Sequence, residues 1–209
     1  MGLYIVPYSD IIINMGRVNN MDRVVEFLWN SNWIERIEYP KYLYENEEYS
    51  AKYAEIRQSF SAWKYINLFD LKDLNHELIL KTHKVLMQSL VHDRYCGKYR
   101  DVNVHIGNTL GSVPIIINEE MERLIQYGKS LSKHKKDLDE KIWTFHDFFE
   151  TVHPFIDGNG RMGRILLNWV RVKKGLDLEI IEYSDRLKYY TNIESFRYLL
   201  DNGNYPQFR

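Results

Sequence analysis

The stretch HPFIDGNGRMGR, residues 153–164, gathers a histidine, a carboxylate, three glycines and two arginines into twelve positions. Each type suits one task at an anionic centre. A glycine-containing turn that opens a helix leaves backbone N–H groups free where the dipole is positive, so Gly158, Asn159 and Gly160 can cradle phosphate oxygens. Arg161 and Arg164 are three apart, neighbours on one helix side, and can clamp further phosphate charge. Asp157 offers a hard oxygen to Mg²⁺, which is commonly held by one or two carboxylates plus substrate phosphates. His153 can approach the same anion as a general base. Pro154 helps to end the preceding helix.

Two narrower readings use fewer of these residues. GNGRMG, residues 158–163, satisfies G-x-G-x-x-G, but a dinucleotide site needs a strand before it, and the preceding segment has helical periodicity. Glu150 and His153 form an ExxH pair, with His146 on the same face. A di-iron bundle requires a second ExxH and more carboxylates, and no second copy occurs. A packed polar edge is the simpler account of His146 and Glu150. No G-x-x-x-x-G-K-[ST] loop is present.

The elements that must position this turn are mostly helical. Helical spacing runs through NNMDRVVEFLWNSNWIERIEY, SAKYAEIRQSFSAWKYINLF and LKDLNHELILKTHKVLMQSLV, with YPKYLYENEEYS as a polar, aromatic connection. Around Val102, Val104 and Ile106 apolar and polar residues alternate, and Gly107, Gly111 and Pro114 punctuate, which predicts a short β-hairpin or flap. Helix resumes in NEEMERLIQYGKSLSKH and in LDEKIWTFHDFFETVHPF, where Ile142, Phe145, Phe149 and Val152 recur at three- and four-residue steps. RILLNWVRVKKG is apolar nearly all round, a buried central helix with Gly175 as its stop. DRLKYYTNIESFRYLLDNG is a last helix, ending at Gly203.

The 209 residues suit one domain, or one domain with an N-terminal extension, and a net charge of −1 provides no field for nucleic acid. The single cysteine, Cys96, excludes an intramolecular disulfide. No apolar run reaches membrane-spanning length and the first residues lack a secretory plan. Gly2 fits the start of a myristoylation motif, but Val6 stands where that motif wants Ser or Thr. The expectation is a soluble, intracellular (cytoplasmic) protein without nucleic-acid or membrane partners.

The twelve-residue stretch resembles the signature of the Fic (filamentation induced by cAMP) family, His-Pro-Phe-x-Asp/Glu-Gly-Asn-Gly-Arg-x-x-Arg, at every defined position. LNHELILKTHKVLM, GKYR, the Val102–Ile106 flap and LLNWVRVKKG follow in the family's order, so the resemblance covers about residues 65 to 205. It implies an all-α, mainly helical bundle with a β-hairpin over the active site. The division expected is an N-terminal helical region at 1–64 and a core domain at 65–209. The implied reaction is transfer of AMP from Mg-ATP, or Mn-ATP, to a Ser, Thr or Tyr hydroxyl of a target protein. Self-modification and a homodimer are left open.

Carried over residue by residue, His153 becomes the base and Asp157 the metal ligand. Gly158, Asn159 (side chain included), Gly160, Arg161, Met162, Gly163 and Arg164 become the nucleotide site. In the flap, Val104 and His105 dock the target by strand addition, and Ile106, Gly107 and Asn108 touch the nucleotide, with Thr109 continuing that stretch. Tyr189 occupies the place of a tyrosine near the adenine. Arg197 stands where the family usually has Asn, which leaves base selectivity open, since relatives transfer UMP or other phosphate-linked groups.

Many relatives restrain themselves with a helix carrying Ser/Thr-x-x-x-Glu-Gly/Asn, whose glutamate pairs with the last signature arginine. Here SNWIER, residues 31–36, offers Ser31 and Glu35, with Arg36 in the Gly/Asn place. Glu55 is the rival carboxylate, but Ala51 stands where the hydroxyl belongs. Glu35 is the expected lock, and removal of AMP the reverse activity some such relatives show. A nonenzymatic interaction module of the same fold is the competing class, and intact His153, Asp157 and Arg164 argue against it.

Overall fold

Wherever the three-to-four-residue period is sustained, helix forms. The structure, a computed structural model, describes residues 21–202 apart from Asn108 and residues 133–136. Gly203, proposed as the last helix's end, lies outside the described residues, as do the positions weighed for myristoylation. In chain order the helices are α1 (Met21–Ile34), α2 (Tyr42–Glu45), α3 (Glu47–Lys52), α4 (Ala54–Asn67), α5 (His76–Met87), α6 (Ile117–Ser130), α7 (Leu138–Val152), α8 (Asn159–Lys174) and α9 (Arg186–Asp201). Two-residue strands β1 (His105–Ile106) and β2 (Thr109–Leu110) pair antiparallel, His105 opposite Leu110 and Ile106 opposite Thr109.

Helix α8 is the centre. Met162, Leu166, Leu167, Trp169 and Val170 are wholly buried, as the all-round apolar pattern requires. It stops at Gly175, whose φ of +83° a side chain would resist. Against it packs α7, with Ile142, Phe145, Phe149 and Val152 all at 0% exposure. One hydrophobic cluster joins Val24 and Leu28 of α1, Trp63 and Ile66 of α4, and Trp169 of α8. The division drawn at residue 64 falls inside α4.

Two expectations needed revision. The connection at 39–50 folds into α2 and α3, because Leu43 and Tyr44 turn inward to the core and Asn46 caps α3 by accepting the Glu48 N–H at 2.9 Å. Of the alternating valines, Val102 is half exposed and precedes β1, so the flap is shorter than its alternation suggested.

Candidate active site

His153 closes α7 in the left-handed region, φ +50°, an uncommon conformation for a non-glycine residue. Its Nδ1 lies 3.2 Å from the Glu150 carbonyl. A carbonyl only accepts, so Nδ1 carries the hydrogen and Nε2 keeps a lone pair. Burial, aided by the charges of Arg197 and Arg100, pushes the imidazole down to about 4, against the Glu150 hydrogen bond. His153 is therefore neutral at pH 7, as a proton acceptor must be.

The turn from His153 to α8 is held by residues with no chemistry of their own. The Asn159 amide closes a two-way bridge with Phe155, donating to its carbonyl at 2.9 Å and accepting its N–H at 2.8 Å. Both ends of that side chain thus hold the turn that opens α8. His83 of α5 stacks on Phe155, ring centroids 3.6 Å apart and 6° from parallel. The Gly97 N–H donates to His83 Nδ1 at 3.0 Å, which leaves Nε2–H to donate to the Asp157 carbonyl at 3.0 Å. Gly158 takes φ +78° to start the helix. The helical spacing around His83 gives no sign that it braces the turn.

Arg164 is nearly inaccessible and fully engaged. Nε donates to Ser31 Oγ at 2.9 Å, Nη2 to the Ser31 carbonyl at 2.8 Å and to Glu35 Oε1 at 2.7 Å, and Nη1 to the Tyr189 hydroxyl at 3.4 Å. Burial works most strongly against this charge, but Glu35, Tyr189 and Glu150 together outweigh it and hold the guanidinium above its ordinary value. The Glu35 carboxylate lies over Gly160, where a Cβ would overlap it. An anion of the chain's own thus sits at the start of α8. Of the two carboxylates weighed, it is Glu35 that reaches Arg164, while Glu55 accepts a 3.5 Å bond from Tyr39.

The end of α1 explains how Glu35 arrives there. The Ile37 N–H returns to the Asn32 carbonyl at 3.0 Å across Arg36, whose φ is +61°. This is a left-handed helix stop, the place where Gly or Asn is cheapest. Arg36 fills it at some strain and leaves Glu35 on the last turn.

Arg161 is buried, and its Nε and Nη1 have no hydrogen-bond partner, while Nη2 meets only Met87 Sδ at 3.4 Å. It lines a cavity of about 290 Å³ with Glu35, Ile37, Glu55, Leu90, Asp157 and Gly158. Asp157 is exposed, and its Oδ1 accepts the Gly158 N–H at 2.6 Å, which leaves Oδ2 outward. Among the described residues no group of three or more His, Cys, Asp or Glu could hold a metal. One free carboxylate oxygen beside an unpaired arginine fits Mg²⁺ that arrives with phosphate, since phosphate oxygens and water complete its shell.

Met162 and Gly163, both carried over to the nucleotide site, turn toward the protein interior. Met162 is wholly buried in the core, and Gly163 faces α7, where any Cβ would overlap the Glu150 carboxylate. Met162 lies roughly opposite Gly160 on the helix, and Gly163, a neighbour of Gly160, is turned toward α7. Burial raises Glu150 to about 7, against the pull of His146 and Arg164. Tyr189 Oη is 3.0 Å from His146 Nε2, and His146 Nδ1 is 2.9 Å from Asp147 Oδ1. The carboxylate can only accept, so hydrogens run in one direction from Arg164 through Tyr189 and His146 to Asp147. Tyr189 thus stands beneath Arg164, and His146 and Glu150 form a buried polar edge.

In the flap, Val104 and Ile106 are half-buried, and His105 and Gly107 are exposed. Asn108 lies outside the described residues. Thr109 Oγ1 donates to the Ile106 carbonyl at 3.0 Å and accepts from Arg197 Nη1. The flap's base is tied by Arg100, which sequence reasoning missed. Its guanidinium donates to four carbonyls: His153 at 2.7 Å, Val152 at 3.2 Å, Val102 at 2.8 Å and Ser112 at 2.6 Å. GKYR held the signal, but three of the four bonds reach residues twelve to fifty-three positions away and leave no local pattern.

A buried turn with a neutral histidine, an arginine clamp and a helix start suited to phosphate defines an anion-handling transferase-like site. A model described as the Fic/DOC family matches residues 73–170, which include all of it. A Fido domain-containing protein of Dictyostelium discoideum is 33% identical over 99 residues, which are 46% of this chain and 68% of that protein. The chain belongs to the Fic/DOC family. The protein adenylyltransferase fic-1 of Caenorhabditis briggsae is 27% identical over 137 residues, 64% of this chain, yet the chain spans only 27% of that relative's length. The solved structure of Fic-1 (residues 134–508) from C. elegans has the same fold, with a TM-score of 0.75 at 20% identity over 93% of this chain and 60% of that one. No helix among the described residues is long and apolar enough to cross a membrane.

Proposed function

We propose that the chain is a protein nucleotidyltransferase that moves a nucleoside monophosphate, AMP from ATP as the names of its relatives indicate, onto a protein hydroxyl. The observation that carries this reading is the anion seat at the start of α8, already filled by the chain's own Glu35, beside a neutral His153. In the reaction the hydroxyl oxygen bonds to the α-phosphorus, the bond from that phosphorus to the bridging oxygen breaks, and pyrophosphate leaves. The hydroxyl proton passes to His153 Nε2. Arg161 and Arg164, with the backbone at Asn159 and Gly160, receive the triphosphate and the charge of the leaving group, so that catalysis is positioning plus electrostatics. Asp157 would hold Mg²⁺, which neutralises phosphate charge when bound. Val104 and His105 would pair with the target's backbone and set its hydroxyl. Ser31 and Glu35 would restrain the reaction by holding Arg164.

The test is incorporation of α-labelled ATP into a lysate and into the chain itself, with Glu35→Gly in each protein so that the seat is open. His153→Ala should abolish labelling while nucleotide binding persists, and EDTA should suppress labelling. A folded His153→Ala protein that labels at the starting rate would sink the mechanism.

A further inference from the structure

Large apolar side chains exposed singly need no explanation, but here they are gathered. Among the described residues twelve are exposed, and nine of these belong to two segments. Five lie in the flap and the turn that follows it: Val102, Leu110, Val113, Ile115 and Ile116, with Ile115 at 89%. Four lie on α9: Leu187, Tyr190, Tyr198 and Leu199, with Tyr198 at 70%. The two segments meet, since Thr109 accepts from Arg197 and Gly107 faces Glu194. Leu187, Thr191, Glu194 and Tyr198 follow one another at three- and four-residue steps, so the face of α9 that reaches the flap also carries exposed apolar side chains. A groove of about 420 Å³ runs along it, lined by Thr191, Glu194, Ser195, Tyr198 and Leu199.

Residues 102–118 contain no Asp, Glu, Lys or Arg, in a chain of which 27% is charged. An exposed strand edge is ordinarily guarded by such charges against pairing with another chain, and the β1–β2 pair has none. Apolar side chains where charge is depleted are the composition of the centre of a protein interface. Location names the occupant. Arg100 holds the carbonyls of Val102, Ser112 and His153 on one guanidinium, and the charge of Arg197 acts on His153, so both segments border that histidine. A molecule that covers them lies at the entrance to His153, and the one that must come there is the protein bearing the hydroxyl. A second copy of the chain seated there would close the entrance.

We propose that the flap and the outer face of α9 form one apolar docking surface, which selects target hydroxyls in extended segments flanked by apolar rather than charged side chains. Backbone pairing along β1 would set where the hydroxyl lies but is indifferent to sequence, and the side chains around it supply the choice. Each large apolar side chain of the target buried there improves binding by about tenfold or more. This inference rests on the nucleotidyltransferase reading.

The probes are fluorescent peptides with a central Tyr, Ser or Thr flanked by Val and Leu, by Asp and Glu, by Lys and Arg, or by Gly and Asn. The experiment measures their labelling from α-labelled ATP by Glu35→Gly, and their binding to Glu35→Gly/His153→Ala by anisotropy, which needs no turnover. The apolar set should bind and label about tenfold better than the others, with KM constant between roughly 0.05 and 0.5 M salt. Ile115→Asp and Tyr198→Asp alter exposed side chains and so spare the core. Each should raise the apolar peptides' KM about tenfold while ATP binding by calorimetry stays the same. Equal use of all four sets, preference for a charged set, binding of none, or an unchanged KM in both variants overturns the inference, and continued labelling would leave the transferase reading standing. Selective binding of the apolar set, lost in both variants, without any labelling would uphold the surface and reject the enzymatic reading. If the parent sediments as a dimer that both variants convert to monomer, the occupant is a second copy and the inference falls.

Discussion

Replacing Glu35 with Gly removes one charge-assisted bond from Arg164 and clears the space over Gly160, and its effect can be sized from the contacts. The guanidinium keeps Ser31 Oγ at 2.9 Å, the Ser31 carbonyl at 2.8 Å and Tyr189 at 3.4 Å, so the clamp stays in place when the carboxylate goes. A hydrogen bond to a charged group contributes about 1.5–3 kcal/mol. The Glu35 side chain is 32% exposed, which favours the lower end, about 1.5–2 kcal/mol. If the carboxylate must leave before the triphosphate seats for in-line attack, that energy corresponds to roughly a ten- to thirtyfold rise in rate. The assay is the initial rate of incorporation from labelled nucleotide at matched protein concentration. Glu35→Gln, which keeps the shape without the charge, should fall between the two. Arg164→Ala should not activate, because it removes the clamp together with the lock. Without nucleotide, Glu35→Gly should melt lower than the parent, and nucleotide should restore more stability to it. If Glu35→Gly labels no faster while nucleotide protects it well, or if Glu55→Gly activates equally, the reasoning about this carboxylate is wrong.

Arg100→Lys should raise KM for the protein target and slow transfer, with nucleotide affinity unchanged, because one ammonium cannot reach His153, Val102 and Ser112 together. Kinetics with varied target and separate nucleotide titration check this, and an unaltered target KM in a folded protein would contradict it. His83, pushed down to about 4 chiefly by burial, supplies a pH dependence: its contribution is complete above about 6.5 and is lost as pH falls toward 4. The loss is about 3 kcal/mol by pH 4. Glu150, raised to about 7, acts in the opposite direction. The measure is therefore the difference in urea stability between the parent and His83→Asn at pH 7 and pH 4, which should shrink at the lower pH.

How much of this was legible in the chain depended on range. Ile142, Phe145, Phe149 and Val152 announce α7 because a helix face writes itself at fixed spacing, and RILLNWVRVKKG announces a buried helix because no face of it is polar. The twelve-residue signature gathers its site in one turn and so could be read directly. Glu35 was separable from Glu55 because Ser31 stands one helical turn before it. The braces were not legible. His83 meets Asp157 and Arg100 meets His153 across 74 and 53 residues, and no periodicity encodes such a meeting. Asn159, Met162 and Gly163 show that a residue's place in a signature does not say what its side chain touches. One of them braces the turn, one fills the core, and one allows α7 to approach α8.

The lock and the clamp are a single problem in electrostatics. Arg164 is a cation at 2% exposure, and a buried cation without a counter-ion costs several kcal/mol. Tyr189 and the Ser31 carbonyl offer it dipoles, and Glu150 offers a carboxyl that burial raises to about 7, so the nearest full anion in the nucleotide-free protein is Glu35. On the proposed reading, restraint is an exchange of anions on one arginine, carboxylate for phosphate, rather than the making or breaking of a separate latch. Such an exchange has a small net free energy even though each pairing is strong, because the desolvation of Arg164 is common to both states. That is why modest changes at Ser31 or Glu35 can shift the balance while the fold stays intact. It also binds two observables together: the stability that Glu35 gives the nucleotide-free protein is drawn from the same term that opposes nucleotide, so a change at Glu35 that lowers one must raise the other.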